Sequence, residues 1–174
     1  MLKPPIAEQI NAQLNREFFS AYFYLSLSAA AESAGFKGAA AWFMAKHREE
    51  NEHAMKLYRY LQDHDAPVVL GAIADPSGEY ASLLEMFEKT LQHERGVTEA
   101  INDLVDAALT ARDHATHIFL HWFVTEQTEE EATVGDIIAQ LKLVGDRGEG
   151  LYLIDKELAG VAASMNQALA APAA

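Results

Sequence analysis

The chain has 174 residues, half of them hydrophobic, a formal net charge of −13 and no cysteine. That is enough for one domain with a full-sized core, and the acidity argues against nucleic acid or anionic membranes as partners while favouring cations. The missing thiols exclude disulfides, thiolate metal sites and iron–sulfur clusters. The opening MLKPPIAEQI lacks the apolar run of a signal peptide. No stretch approaches the roughly 18 apolar residues of a membrane span. The chain therefore reads as soluble and cytoplasmic. Acidity would also serve solubility alone, so the charge does not by itself name a ligand.

Helix signals dominate, and no alternating strand pattern interrupts them, which predicts an all-α fold. Pro4-Pro5 can open a first helix, running to about Ala34, where SAGFKG breaks it. A second helix should run from about Gly38 to His64, a third from about Tyr80 to Leu109, and a fourth to about Leu143 with Asp113 as its N-cap. GDRGEG then breaks the chain, a shorter fifth helix covers about Leu151 to Leu169, and AAPAA frays. Four of these helices would each be about 40 Å long at 1.5 Å per residue. The DAPVVLGAIADPSGEY segment, about 65–80, could extend about 50 Å at about 3.3 Å per residue. It is long enough to run the length of a bundle, so helices two and three are expected to be parallel and joined by a crossover. The expectation is a four-helix bundle with a long crossover between helices two and three and a short fifth helix, one domain over 1–174.

Steps of three and four trace one inward stripe per helix. Helix one gives Ile10, Leu14, Glu17, Ala21 and Tyr24; helix two gives Phe43, His47, Glu50, Ala54, Leu57 and Leu61. Helix three gives Leu84, Phe87, Leu91, Glu94, Thr98, Ile101 and Val105; helix four gives Leu120, Phe123, Gln127, Glu130, Val134, Ile137 and Leu141. Each stripe is largely apolar and carries a glutamate near its middle. One such glutamate is usually a misread register, but four at similar depth are hard to explain that way. An unpaired buried carboxylate costs several kcal/mol, and four together would repel and take up protons. Two divalent cations would relieve both penalties. Glu50 and His53, at i and i+3, can then reach one ion from one face. Carboxylates with a single imidazole suit iron, manganese or zinc, and calcium would rarely use the histidine. Mid-bundle carboxylates with Glu-x-x-His spacing form the di-iron pattern. It is incomplete here, because helix four has Gln127-x-x-Glu130 in place of a second Glu-x-x-His. The second ion should be held more weakly, by Glu94, Glu50 and Glu130. Glu50→Ala should leave the fold intact, by relieving repulsion in the metal-free site.

The blocks NREFFSAYFYLS, HREENEHAMK, HERGVTEAI and HWFVTEQTEEE together resemble the non-haem ferritins, bacterial type, over nearly the whole chain. The resemblance implies a ferroxidase centre with catalytic residues Glu17, Glu50, His53, Glu94 and Glu130, two irons per subunit and Gln127 alongside. Tyr24 falls where that family has a tyrosine beside the centre, a candidate electron donor, although a plain core tyrosine is an equal reading. A third iron site would fall on Glu49, Glu126, Glu129 and Glu130, where a charged outer face is the alternative. The resemblance further implies iron oxidation by oxygen or hydrogen peroxide, and storage as ferric oxide mineral in a homo-oligomeric 24-subunit shell. Bacterioferritins would carry the second Glu-x-x-His and a methionine at Glu52, so no haem is expected. Mini-ferritins lack this four-helix set. His114, His117 and His121 share a face where the family's three-fold pores often carry acidic residues; a solvated face or a weak transit or zinc site are both open. A di-iron oxygenase or peroxidase, and a silent shell subunit or helical binding module, are the alternatives in function. The missing second histidine counts against the former, and the full ligand set against the latter.

Overall fold

In a computed structural model, which describes residues 2–170, five helices follow one another: α1 (Pro4–Ser33), α2 (Lys37–Asp63), α3 (Leu83–Thr110), α4 (His114–Val144) and α5 (Gly148–Ala170). There is no strand among the described residues. Pro4 stands at the first turn of α1, where its missing N–H would have had no partner. Asp113 caps α4 by accepting from the Thr116 N–H at 3.1 Å. Helix α3 begins at Leu83, later than expected, because Ser82 and Glu85 cap it in the manner of a capping box: Ser82 Oγ accepts from Glu85 N–H, and Glu85 Oε2 accepts from Ala81 N–H, one residue before the cap. Helix α5 begins earlier, at Gly148. Gly150 lies inside it because a side chain there would collide with Val144, so this glycine marks a close approach rather than a break. Of the AAPAA end, residues 171–174 lie outside the described residues.

The direction of the crossover follows from three points of attachment. Asn11 donates to Pro67 O and accepts from Val69 N–H; Asn15 donates to Val69 O and accepts from Gly71 N–H; Ser26 donates to Pro76 O. Rising numbers in the loop match rising numbers in α1, so the segment runs beside α1 from its start towards its end. Helix α2, antiparallel to α1, ended at the first point, and α3 starts beyond the last. Helices α2 and α3 are therefore parallel. Two asparagine side chains, acting as rungs, satisfy loop backbone that has no sheet or helix of its own.

Helix α1 packs on α2 and α3 on α4, while α5 lies chiefly against α2. The core falls into two apolar halves. One holds Tyr24, Phe43, Phe87 and Val134; the other holds Leu14, Ala54, Val97 and Phe123. Along every long helix the switch between halves occurs at the polar interruptions: Glu17, Glu50 with His53, Glu94, and Gln127 with Glu130. The four stripes thus meet in one buried polar layer across mid-bundle.

Two stripes differ from expectation. On α3 the buried residues are Leu83, Met86, Phe87, Thr90, Glu94, Val97, Ile101, Leu104 and Ala108, while Leu84, Leu91, Thr98 and Val105 are half-buried. Phe87, Glu94 and Ile101 are seven apart, and either intermediate row satisfies that spacing. On α2 the step from Phe43 to Glu50 passes through Lys46, which is 3% exposed, while His47 is half-buried and its Nδ1 meets Ala21 O at 2.7 Å.

Helix α5 buries only Ile154, Leu158 and Ala162. It can approach α2 closely because Gly38 has no side chain: a Cβ there would lie 1.7 Å from Asp155 O. Next to it, Ala39 N–H donates to Asp155 Oδ1 at 2.8 Å. Gly38→Ala is expected to push α5 off α2 at a cost of about 1–3 kcal/mol, read as a lower thermal midpoint. An unchanged midpoint would mean that α5 does not depend on this contact.

Candidate metal centre

Glu17, Glu50 and His53 each offer one ligand atom, and the three atoms lie within 4.8 Å of one another. All three side chains are buried. Glu17 Oε1 accepts from Gln13 Nε2 at 2.7 Å, one turn back on α1, and His53 Nδ1 is 3.3 Å from Glu50 Oε2. Two carboxylates and an imidazole from α1 and α2 thus converge on one point.

Helices α3 and α4 supply the opposite wall. Glu94 Oε1 accepts from the Tyr24 hydroxyl at 2.5 Å, and Glu94 Oε2 from Gln127 Nε2 at 3.2 Å. Gln127 also reaches Glu94 O and Thr98 Oγ1. Glu130 is ion-paired to Lys46 Nζ, which also donates to Glu49 Oε2 at 2.6 Å. A second cluster, Glu49, His53 and Glu126, also brings its ligand atoms within 4.8 Å, so His53 belongs to both groups. Glu126 is half-buried, Glu129 exposed, and both border a cavity of about 200 Å³ beside Lys46.

The protonation pattern follows from burial and neighbours. Burial, with Glu50 nearby, pushes the Glu17 carboxyl up to about 8. Burial, with Glu50 and Glu130, does the same to Glu94. Burial raises Glu130 to about 7 against the pull of Lys46. Glu50 goes the other way: burial opposes its charge, but His53 and Lys46 hold it down to about 2. Burial alone would lower His53, but Glu50 lifts it to about 9. Burial would also lower Lys46, yet Glu130 and Glu49 hold it well above the usual range. Tyr24 is raised by burial and then by Glu94. At neutral pH the ionised Glu50, the cations Lys46 and His53 and the proton-holding Glu17 and Glu94 therefore share the layer, with Glu130 near its midpoint.

The sequence left the four carboxylates without a counter-ion of the chain's own; Lys46 is that counter-ion. Its signal was present, three residues after Phe43 and four before Glu50, but a lysine on an inward row reads as a solvated residue. Gln13 was missed for the same reason. The O-rich set with one imidazole fits a borderline divalent cation such as ferrous iron.

A family model described as "Ferritin-like domain" matches residues 7–144. The chain belongs to the ferritin family. A bacterial non-heme ferritin of Campylobacter jejuni is 41% identical over 94% of this chain and 98% of its own. One from Escherichia coli O6:H1 is 43% identical over 91% of this chain and 96% of its own. The open-pore ferritin of the archaeon Archaeoglobus fulgidus superimposes with a TM-score of 0.90 at 39% identity, covering 91% of this chain and 98% of that one. The all-helical fold of this ferritin-family chain, with its crossover and fifth helix, agrees with that likeness. Elsewhere on it, His117 and His121 meet with Nε2 atoms 3.2 Å apart, and His114 is exposed. Glu131 accepts from Thr98 and faces Arg95. No helix among the described residues is long and apolar enough to cross a membrane.

Proposed function

We propose that this chain is an iron-storage subunit with ferroxidase activity, acting as a single di-iron domain in the cytoplasm. The supporting observation is the buried convergence of Glu17, Glu50 and His53 opposite Glu94 and Glu130. In this reading one ferrous ion is held by Glu17, Glu50 and His53, and a second by Glu50, Glu94 and Glu130 with Gln127 alongside. Glu49, Glu126, Glu129 and Glu130 form a third, outer site on the way out. Each of two ferrous ions gives up one electron, and the pair reduces one oxygen to hydrogen peroxide with two protons; peroxide can serve as oxidant in turn. Tyr24, bonded to Glu94, is placed to lend a further electron. Haem, nucleic acid and membranes have no part in this reading.

The homologues are ferritins, and the chain presents exposed Leu70, Ile118, Leu143, Tyr152 and Leu153, apolar surface that assembly would cover. A 24-subunit homo-oligomeric shell holding ferric oxide mineral accounts for both. The test adds ferrous iron in air, in increments, to metal-stripped protein, follows ferric absorbance, and sizes the product with iron detection. Rapid oxidation saturating near two irons per chain, then slower uptake of many more into a very large particle, is expected. Oxidation that stops at two irons on a small oligomer would point instead to a di-iron oxygenase. No acceleration over buffer would leave a silent shell subunit.

A further inference from the structure

The Lys46 ammonium joins carboxylates that belong to different parts of the cluster. Glu130 comes from α4 and faces the inner layer; Glu49 lies one helical turn along α2 and faces the outer cavity. The side chain is 3% exposed, and the Tyr24 ring centroid is 5.9 Å from Nζ. Among the described residues no such lysine lies across the Glu17–Glu50–His53 set, where the cation in contact with a carboxylate is His53 itself. The two halves of the centre are therefore unequal before any ion arrives.

We infer that Lys46 is a tethered cation that competes with the second ferrous ion for Glu130 and Glu49. The Glu17–Glu50–His53 position then fills first, and the second fills as the ammonium swings into the adjoining cavity. This rests on reading the cluster as a two-ion iron site. A divalent ion at Glu130 and the ammonium now paired with it repel, so one must leave. The ammonium has somewhere to go: the cavity beside it is also bordered by Glu126 and Glu129, so it stays paired after moving, which a buried charge requires. When product departs, the ammonium returns and Glu130 is never left buried and unpaired. A storage protein must let its second ion go, and a resident competitor makes that ion easier to release.

The test is calorimetric titration of ferrous iron into metal-stripped protein without oxygen, which reads binding and no turnover. Wild type is expected to bind a first ion tightly and a second more weakly. Lys46→Gln should tighten the second by at least about tenfold while changing the first far less. Arg48→Gln serves as the control: it removes the same charge from the same helix, but Arg48 is bonded to Asn166, not to a carboxylate, and it should titrate as wild type. Lys46→Arg keeps the charge and a forked grip on both carboxylates, so its second ion should bind no tighter than in wild type. If Lys46→Gln fails to fold, a tighter second ion in Lys46→Arg overturns the inference by itself. A second-ion affinity unchanged or weakened in Lys46→Gln, with two ions still bound, overturns it and leaves the di-iron reading standing. A wild-type protein that binds no ion at these residues overturns both.

Discussion

Glu50→Ala is expected to slow ferrous oxidation by more than the roughly hundredfold that losing a mere outer-shell partner costs, while the metal-stripped protein stays folded. Glu50 is the residue that couples to every other charge in the layer: Glu17, His53, Lys46, Glu94 and Glu130 all feel it. In the proposed scheme it also touches both ions, so its loss uncouples them. The reason the fold should survive differs from simple relief of repulsion. Glu50 is the one carboxyl of the inner four held ionised below the usual range, and its removal takes away its attraction to His53 and Lys46. The same change lifts its repulsion from Glu17, Glu94 and Glu130. Gains and losses of opposite sign leave the thermal midpoint within about 5 °C of wild type. A midpoint lower by more than about 15 °C would show that Glu50 is the electrostatic keystone of the stripped protein and that the cancellation does not occur.

Much of this centre was legible because helical periodicity is strict. Glu17, Glu50, Glu94, Gln127 and Glu130 fall on rows whose other members are largely apolar, His53 follows Glu50 by one turn, and all six are buried. The crossover was legible from its length alone, since only a segment able to span the bundle can join parallel helices. What escaped had a physical reason. Spacing by sevens leaves two intermediate rows equally good, so α3 was read through Leu91 and Thr98 when Thr90 and Val97 are the buried ones. The same ambiguity assigned His47 inward and hid Lys46. Lysine is almost never buried unless paired, and its pairing with Glu130 lies 84 residues away in sequence, beyond what any single helix reveals. The Ser82–Glu85 capping box was readable and overlooked, which moved the start of α3 by one turn.

With metal stripped, the thermal midpoint is expected to be highest near about pH 4.5 and to fall steadily towards about pH 8.5. The sign follows from which state holds more protons. Glu17 and Glu94 are raised from the usual 4.5 to about 8, and Glu130 to about 7. Between these values the folded chain keeps protons that the unfolded chain has released, so raising the pH favours unfolding. His53 acts in the same direction: raised from 6.5 to about 9, it contributes its full stabilisation below 6.5 and loses it as the pH climbs through 9. Glu50, held down to about 2, contributes a constant amount above 4.5 and is lost only in stronger acid. His93, which burial lowers below the usual 6.5, opposes the trend, but only at the acid end of the window. A divalent ion should reverse it. Ligands must shed protons to bind, so ferrous iron held anaerobically binds more tightly as the pH rises, and the stabilisation it adds grows with that affinity. Scans at matched pH with and without ferrous iron should diverge progressively above about pH 6.5, with protons released on each addition to an unbuffered sample. A stripped protein whose midpoint is flat or rising across the window would mean that Lys46 and His53 alone neutralise the layer, and that its carboxylates are ionised before iron reaches them.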